Sequence, residues 1–284
     1  MRTHTFSIVV GTAACNAACP FCVSKMTQTI ACKQIEVNWN RFYTAMDVVE
    51  QARDGLVSVL LTGKGEPLLF PKQINDYLTV LNYRFPLIDL QTNGIRVEEL
   101  LEEFEKWKEL GLTLVCISVA HSDPNLSNGL MGIKQDFNYW DAVKQLHNLG
   151  LAVRLNCTML KSGVHWPAQF DSLVNQAAMH SVEQVTFREV TMPDQAGNHE
   201  IADFVKQEQV PGACHKLMCY LEMKEATRLL ELPHGGLVYD YNGQNVCISN
   251  CLTGTTDPND IRQIIFFPDG RIAYDWRYPG ARIL

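Results

Sequence analysis

The chain has 284 residues, 46% of them hydrophobic, which is enough for a sizeable core and excludes wholesale disorder. Its 24 basic residues against 31 acidic ones give a formal charge of −7, which argues against a nucleic-acid partner, because polyanion affinity comes from clustered Lys and Arg. No run of about 18 apolar residues occurs and the N-terminus is polar, so the expectation is a cytoplasmic protein without a membrane span or signal peptide. In a reducing compartment ten cysteines are not expected to form structural disulfides, and metal or cluster ligation leads for those that group together.

In chain order, Phe6–Thr12 reads as a first strand, Trp39–Arg53 as a helix and Val57–Thr62 as a second strand. Leu87–Thr92 is a third strand, ending in the turn signal Asn93-Gly94, and Val97–Leu110 follows with helical periodicity. Leu112–Ala120 and Leu151–Met159 are strands four and five, separated by a helix over Asn138–Leu149. A helix over Trp166–Met179 leads to a sixth strand at Val185–Val190. The alternation implies an α/β fold with a parallel sheet covered by helices, and chemistry where loops leave the strand C-termini. Periodicity leaves open whether the sheet lies flat or curls into a partial barrel. After Pro193 the alternation stops and turn signals multiply (Pro233–Gly236, Asn242-Gly243, Pro268–Gly270). Residues 1–193 are therefore read as a core domain. Residues 194–284 are read as an extension of short strands and a helix near Cys219–Leu230, covering one end of the sheet.

Cys15-Asn-Ala-Ala-Cys19-Pro-Phe-Cys22 places three thiols in one loop straight after the first strand. Three thiolates at this spacing can wrap one face of a [4Fe–4S] cluster and leave the fourth iron open to a ligand. A zinc site needs a fourth ligand, and His4, the nearest upstream candidate, lies on the wrong side of the strand. A thioredoxin-type redox pair would use Cys19 and Cys22 and leave Cys15 unexplained. Further along, Thr62-Gly63-Lys64-Gly65-Glu66-Pro67 follows the second strand, with glycines that permit close backbone approach beside a carboxylate.

The C-x3-C-x2-C spacing, with aromatic Phe21 before the third cysteine, resembles the signature of the radical SAM superfamily. Gly63, Gly65 and Glu66 resemble its GGEP motif with Lys64 inserted, and Thr92-Asn93-Gly94 resembles its TNG segment. The resemblance implies a partial (β/α)6 barrel, a [4Fe–4S] cluster on Cys15, Cys19 and Cys22, and S-adenosylmethionine (SAM) chelated to its open iron. It implies further SAM contacts from Phe21, Gly63, Gly65, Glu66, Thr92, Asn93, Ser118, Arg154 and Asn156. Alternation puts Arg154 and Asn156 on one strand face. Thr186–Pro193 resembles the sixth-strand segment of the molybdenum-cofactor GTP cyclase group, which implies adenine contact at Met192, with Arg188 and Glu189 as weaker candidates.

A second group, Cys214, Cys219, Cys247 and Cys251, has x4 and x3 spacings and supplies four thiols, the number for an auxiliary [4Fe–4S] cluster or an all-thiolate zinc site. The resemblance implies such a cluster in the molybdenum-cofactor and SPASM/twitch groups. Those groups use tighter C-x2-C pairs, and no cysteine follows the Pro268–Gly270 turn here, so buried, unligated thiols stay open as a reading. Cys32, Cys116 and Cys157 are read as structural. His121 and Asp123 are candidate substrate contacts. Lys25, Lys161, Arg262, Arg271, Arg277 and Arg282 are candidate anion contacts, and Tyr274, Trp276 and Tyr278 are candidates for packing or stacking.

The expected function is reductive cleavage of SAM to a 5′-deoxyadenosyl radical that abstracts hydrogen from a small-molecule, nucleotide-like or other ring-bearing substrate. The electron comes from an external donor such as flavodoxin or ferredoxin. The chain enters its first strand at once, which favours a small molecule over a peptide. The alternatives are a peptide-modifying radical SAM enzyme with a separate recognition partner, and a non-catalytic metal-binding protein held together by cysteine ligation.

Overall fold

The computed structural model describes residues 2–26, 35–192, 197–250, 257 and 259–284. The first half runs β1 (Arg2–Val9), α1 (Val23–Met26), α2 (Trp39–Ala52), β2 (Arg53–Thr62), α3 (Pro71–Leu81), β3 (Leu87–Thr92), α4 (Leu101–Glu109) and β4 (Leu114–Val119). Then come α5 (Pro124–Met131), α6 (Tyr139–Asn148), β5 (Ala152–Met159), α7 (Pro167–Met179) and β6 (Gln184–Glu189). The rest is α8 (His199–Glu208), α9 (Ala213–Met223), β7 (Thr227–Glu231), β8 (Leu237–Tyr241), β9 (Gln244–Asn250), β10 (Asp260–Ile261), β11 (Ile264–Phe266) and β12 (Ile272–Ala273).

All strands join one open sheet in the order β12-β11-β1-β2-β3-β4-β5-β6-β9-β8-β7, with β10 also on β1. Strands β1 to β6 are parallel in sequence order, as the alternation of strands and helices predicts. The six-stranded core is thus a partial barrel, and its sheet does not close. The C-terminal strands do not form a separate layer over one end. Instead β9 continues the sheet in parallel beyond β6, and β11 does so beyond β1. The extension therefore lengthens both edges of the core sheet. The helix expected near Cys219–Leu230 lies earlier, at α9, because Glu225 at φ 58° turns the chain and Thr227–Glu231 pairs with β8 as a strand.

Local sequence explains the helices that flank the site. Asn38 caps α2 by accepting from the Arg41 N–H, and Phe42, Ala45, Met46 and Val49 bury its inner face at helical spacing. Helix α3 starts with Pro71 at its first turn and buries Ile74, Tyr77, Leu78 and Leu81, a helical spacing in a segment for which no helix was expected.

The strand alternation separates two chemistries. Outward residues such as Val59, Leu61, Leu90, Ile117, Leu155 and Phe187 are fully buried against helix residues including Phe42, Tyr77, Phe104 and Phe170. Each such side chain contributes roughly 1.5–3 kcal/mol of burial. The alternate residues are polar: Asp89 and Gln91, Cys116 and Ser118, Arg154, Asn156 and Thr158, Thr186 and Arg188. A sheet with an aliphatic outer face and a polar inner face is built to hold a polar ligand inside its curve.

Candidate active site

The cysteine loop is clamped from two sides. On one side the loop after β2 presses its backbone against the cysteine loop, and the Glu66 N–H donates to Ala14 O at 2.9 Å. A Cβ at Gly65 would lie 2.0 Å from Ala14 O, so only glycine fits. On the other side Gly132, at φ +62°, ends α5, and a Cβ there would stand 2.8 Å from Ala18 O. Between these contacts the Ala17 N–H donates to Cys15 Sγ at 3.4 Å, and the Cys22 N–H donates to Cys19 O at 3.3 Å.

Glu66 joins this loop to the next. Its buried carboxylate accepts at Oε1 from the Leu68 N–H (2.9 Å) and the Thr92 hydroxyl (2.6 Å), and at Oε2 from the Asn93 N–H (2.8 Å). Burial raises its pKa, and these donors, with the nearby Arg96 guanidinium, pull it back down. Glu66 was expected among the SAM contacts. In the structure both oxygens are engaged within the protein, and the carboxylate ties the β2 loop to the β3 loop. Asn93 then reaches the cysteines, donating from Nδ2 to Asn16 Oδ1 at 2.8 Å, with Cys15 Sγ at 4.0 Å.

These loops wall a cavity of about 320 Å³, within the usual scale of small-molecule sites. Cys15, Cys19, Cys22 and Phe21 line it, as do Gly63, Gly65, Glu66, Thr92, Asn93, Ser118 and Asn156, all expected from the sequence. Asn156 Oδ1 is buried without a hydrogen-bond partner. Two expected residues do not line the cavity. Arg154 is held deeper in the sheet by a buried ion pair with Asp89 and by Cys116 Sγ at 3.5 Å from its Nε. An inward-facing arginine beside a buried carboxylate is retained by it, because leaving either charge unpaired is costly. Met192 packs instead on the apolar cluster that contains Phe21, Met26 and Val190.

His121 and Asp123 are occupied locally. Asp123 caps α5 by accepting from the Asn125 and Leu126 N–H groups, and His121 Nδ1 accepts from the Asp123 N–H. Of the distal arginines considered from the sequence, Arg262 lines the cavity, while Arg271 pairs with Asp269 and Arg277 with Asp275.

Lys64, Arg188, Gln263 and Trp276 also line the cavity, although no substrate or SAM role was expected of Lys64 or Gln263. Lys64 is only 6% exposed, with its ammonium 4.9 Å from the centre of the Trp276 ring. Burial pushes its pKa down to about 8, against the opposing influence of Cys22. Arg188 was already a candidate from the resemblance of Thr186–Pro193, whereas the Lys64–Trp276 contact joins the loop after β2 to the C-terminal segment.

Burial and the neighbouring thiols of Cys22 and Cys15 push the Cys19 pKa up to about 12, and burial raises that of Cys15. Thiols so placed ionise when positive charge arrives, the behaviour of a ligand set that releases protons as it loads. Among the described residues no three His, Cys, Asp or Glu side chains converge on a point that one metal ion could occupy. Ligands on different corners of a cluster need no such convergence, whereas a zinc site does.

The described members of the second cysteine group, Cys214, Cys219 and Cys247, do not converge on one point. Cys214 Sγ donates to Ser249 O and Asn250 Oδ1, both at 3.4 Å, while Cys219 is exposed on the same helix, 3.7 Å from His215 Nε2. Cys247 is buried on β9 opposite Thr186. Cys251, like Cys32, lies outside the described residues.

Residues 9–165 match the family model described as the radical SAM superfamily, a stretch that contains the cysteine loop and the four core strands β2 to β5. The chain belongs to the radical SAM superfamily. Solved structures agree on the fold. "Native anSMEcpe with bound AdoMet" is 14% identical with a TM-score of 0.59, over 98% of this chain and 76% of that one. Methylornithine synthase is 12% identical with a TM-score of 0.52, over 78% of this chain and 63% of its own length. Coproporphyrinogen III oxidase from Escherichia coli, itself described as a radical SAM enzyme, is 13% identical with a TM-score of 0.51, over 80% and 54%. The chain thus spans less than two thirds of the methylornithine synthase it matches. No curated protein matches it. As a member of this superfamily the chain is an enzyme, and its family's chemistry requires a [4Fe–4S] cluster, SAM and an external electron donor. No helix among the described residues is long and apolar enough to cross a membrane.

Proposed function

We propose that this radical SAM enzyme acts on a small-molecule substrate, with Cys15, Cys19 and Cys22 holding the cluster and the cavity beside them receiving SAM. The observation that carries the reading is the shared cavity, whose wall combines the three thiols with the polar inner face of β4 and β5. The residues fit both groups. The thiols are the donor type that iron–sulfur clusters take, and the orphaned Asn156 Oδ1 in the wall needs a donor such as a ribose hydroxyl. When bound, the reduced cluster and SAM supply a 5′-deoxyadenosyl radical capable of abstracting hydrogen from an unactivated carbon.

The protein's own residues bind, orient and exclude water. Gly65 and Gly132 set the height of the cysteine loop, and Glu66 fixes the β2 and β3 loops against each other, so that the walls of the site stay in register. Ser118 and Asn156 present hydroxyl and amide groups to the ligand from neighbouring strands, at register partners. Phe21, Val119 and Met131 supply an apolar rim that keeps solvent from a reactive intermediate. Residues 1–193 form the catalytic core in this reading, and residues 194–284 complete the cavity with Arg262, Gln263 and Trp276. A small substrate agrees with the cavity volume and with the acidic charge balance.

The test is anaerobic reconstitution with iron and sulfide, followed by dithionite and SAM. Formation of 5′-deoxyadenosine is expected, and its absence from a fully loaded sample sinks the reading.

A further inference from the structure

Lys64 stands between the two glycines of the loop after β2, and Gly65 packs directly against Ala13 and Ala14, which lead into Cys15. Its side chain lines the same cavity as Cys15, Cys19 and Cys22 and is almost fully buried. The ammonium lies 4.9 Å from the centre of the Trp276 ring and makes no hydrogen bond or ion pair with a described residue. Glu66, on the same loop, has both oxygens engaged by three internal donors.

A cation so placed needs a counter-charge, because an aromatic face replaces only part of the hydration that burial removes. Burial disfavours the charged form of Lys64, its neighbour Cys22 favours it, and Arg271 opposes it more weakly. As thiols the cysteines carry no charge. As cluster ligands they are thiolates, and an iron–sulfur core held by three of them is net negative when oxidised and more so when reduced. SAM bound to the open iron through a neutral amine adds a sulfonium and a carboxylate, which balance, so the centre stays negative.

Resting on the radical SAM reading above, we propose that Lys64 is the counter-charge of the cluster: held on Trp276, it raises the reduction potential and so eases entry of the external electron. A fixed cation stabilises the reduced centre more than the oxidised one, because the attraction grows with the charge that the electron adds. Burial sets Lys64 apart from Lys25, whose charge also reaches Cys15 and Cys19 but which is exposed on α1, where solvent and salt screen it. Trp276 comes from the C-terminal region, so the extension positions a charge that acts in the core.

Redox titration of the reconstituted full chain, followed by electron paramagnetic resonance without SAM, tests this directly. Lys64→Met should lower the midpoint potential by the equivalent of about tenfold in the reduction equilibrium, about 59 mV for one electron. Lys64→Arg keeps the charge and should recover part of the loss, which a merely structural role would not do. Trp276→Leu should move the potential the same way by less, and it decides the matter if Lys64→Met does not load iron. Lys25→Met should shift the potential least.

The proposal is overturned if loaded Lys64→Met, or Trp276→Leu in its place, keeps the wild-type potential. It is also overturned if Lys64→Arg falls as far as Lys64→Met, or if Lys25→Met shifts as much. An unchanged potential with SAM affinity weakened tenfold, read by equilibrium dialysis, would assign Lys64 to SAM instead. Formation of 5′-deoxyadenosine by the wild type is scored separately. Its presence with an unshifted potential in Lys64→Met rejects the counter-charge alone, and its absence with the expected shift rejects the radical reading alone.

Discussion

Cys15, Cys19 and Cys22 sit on a loop clamped between Gly65 and Gly132 and open into a polar cavity. Cys214 and Cys219 lie on one helix, the first bonded to strand β9 and the second exposed, and Cys247 is buried inside the sheet. Both groups have three or four thiols at short spacing, and among the described residues only those of the first line one cavity together. Spacing brings cysteines near each other along the chain. Convergence also requires neighbouring loops that fix the backbone between them, as the Gly65 and Gly132 contacts do for the first group.

The sharpest way to break this contrast is at Cys19. Cys19→Ala should reduce reconstituted iron to background and lower 5′-deoxyadenosine formation by a factor of about 100 or more, read by iron and sulfide assay and by chromatography. If Cys19→Ala keeps its iron, the first group is not the cluster site.

The clamp is tested next. Gly65→Ala places a methyl group 2.0 Å from the Ala14 carbonyl, which the backbone must absorb at about 1–3 kcal/mol. A lower melting temperature together with poorer iron loading is expected, and unchanged loading would mean that the loop holds its shape without the clamp.

The C-terminal region contributes through charge more than through sulfur. Burial, then Arg262, Arg188 and His4, hold His234 at about 4, below the usual value near 6.5. The folded state therefore resists protonation that the unfolded state accepts. Stability is full above about pH 6.5 and falls as the pH drops toward 4. The loss is on the order of 1–2 kcal/mol after allowing for partial solvent screening. His234→Asn should flatten this part of the pH dependence in chemical denaturation, and an unchanged slope would place its origin elsewhere.

The smallest effect belongs to the second cysteine group. The double substitution Cys214→Ser, Cys219→Ser should leave iron content unchanged and alter stability by no more than about 1 kcal/mol. Loss of iron in that variant would reverse the contrast drawn between the two groups.

Much of the core was legible because it is local. Strand β3 lies where Leu87–Thr92 predicted it, and β4 to β6 begin and end within two residues of their expected limits. The cysteine loop and the GKGEP and TNG segments are contiguous, so their chemistry and spacing can be read along one stretch of chain. Arg154 was misplaced because its partner Asp89 stands two strands away in the sheet, where only register brings them together. Glu66 was read as a ligand because a carboxylate beside glycines looks available. The donors that occupy it come from three backbone and side-chain groups whose meeting depends on the loop conformation.

By itself the sequence determined the superfamily and the parallel order of the core, because each rests on residue type at short spacing or on strand–helix alternation. Tertiary structure alone decided which polar side chains reach the cavity, that the C-terminal strands extend both edges of the sheet, and that Lys64 meets Trp276. Those outcomes depend on contacts between distant segments, whose energies are set by register, burial and charge pairing that no local pattern contains.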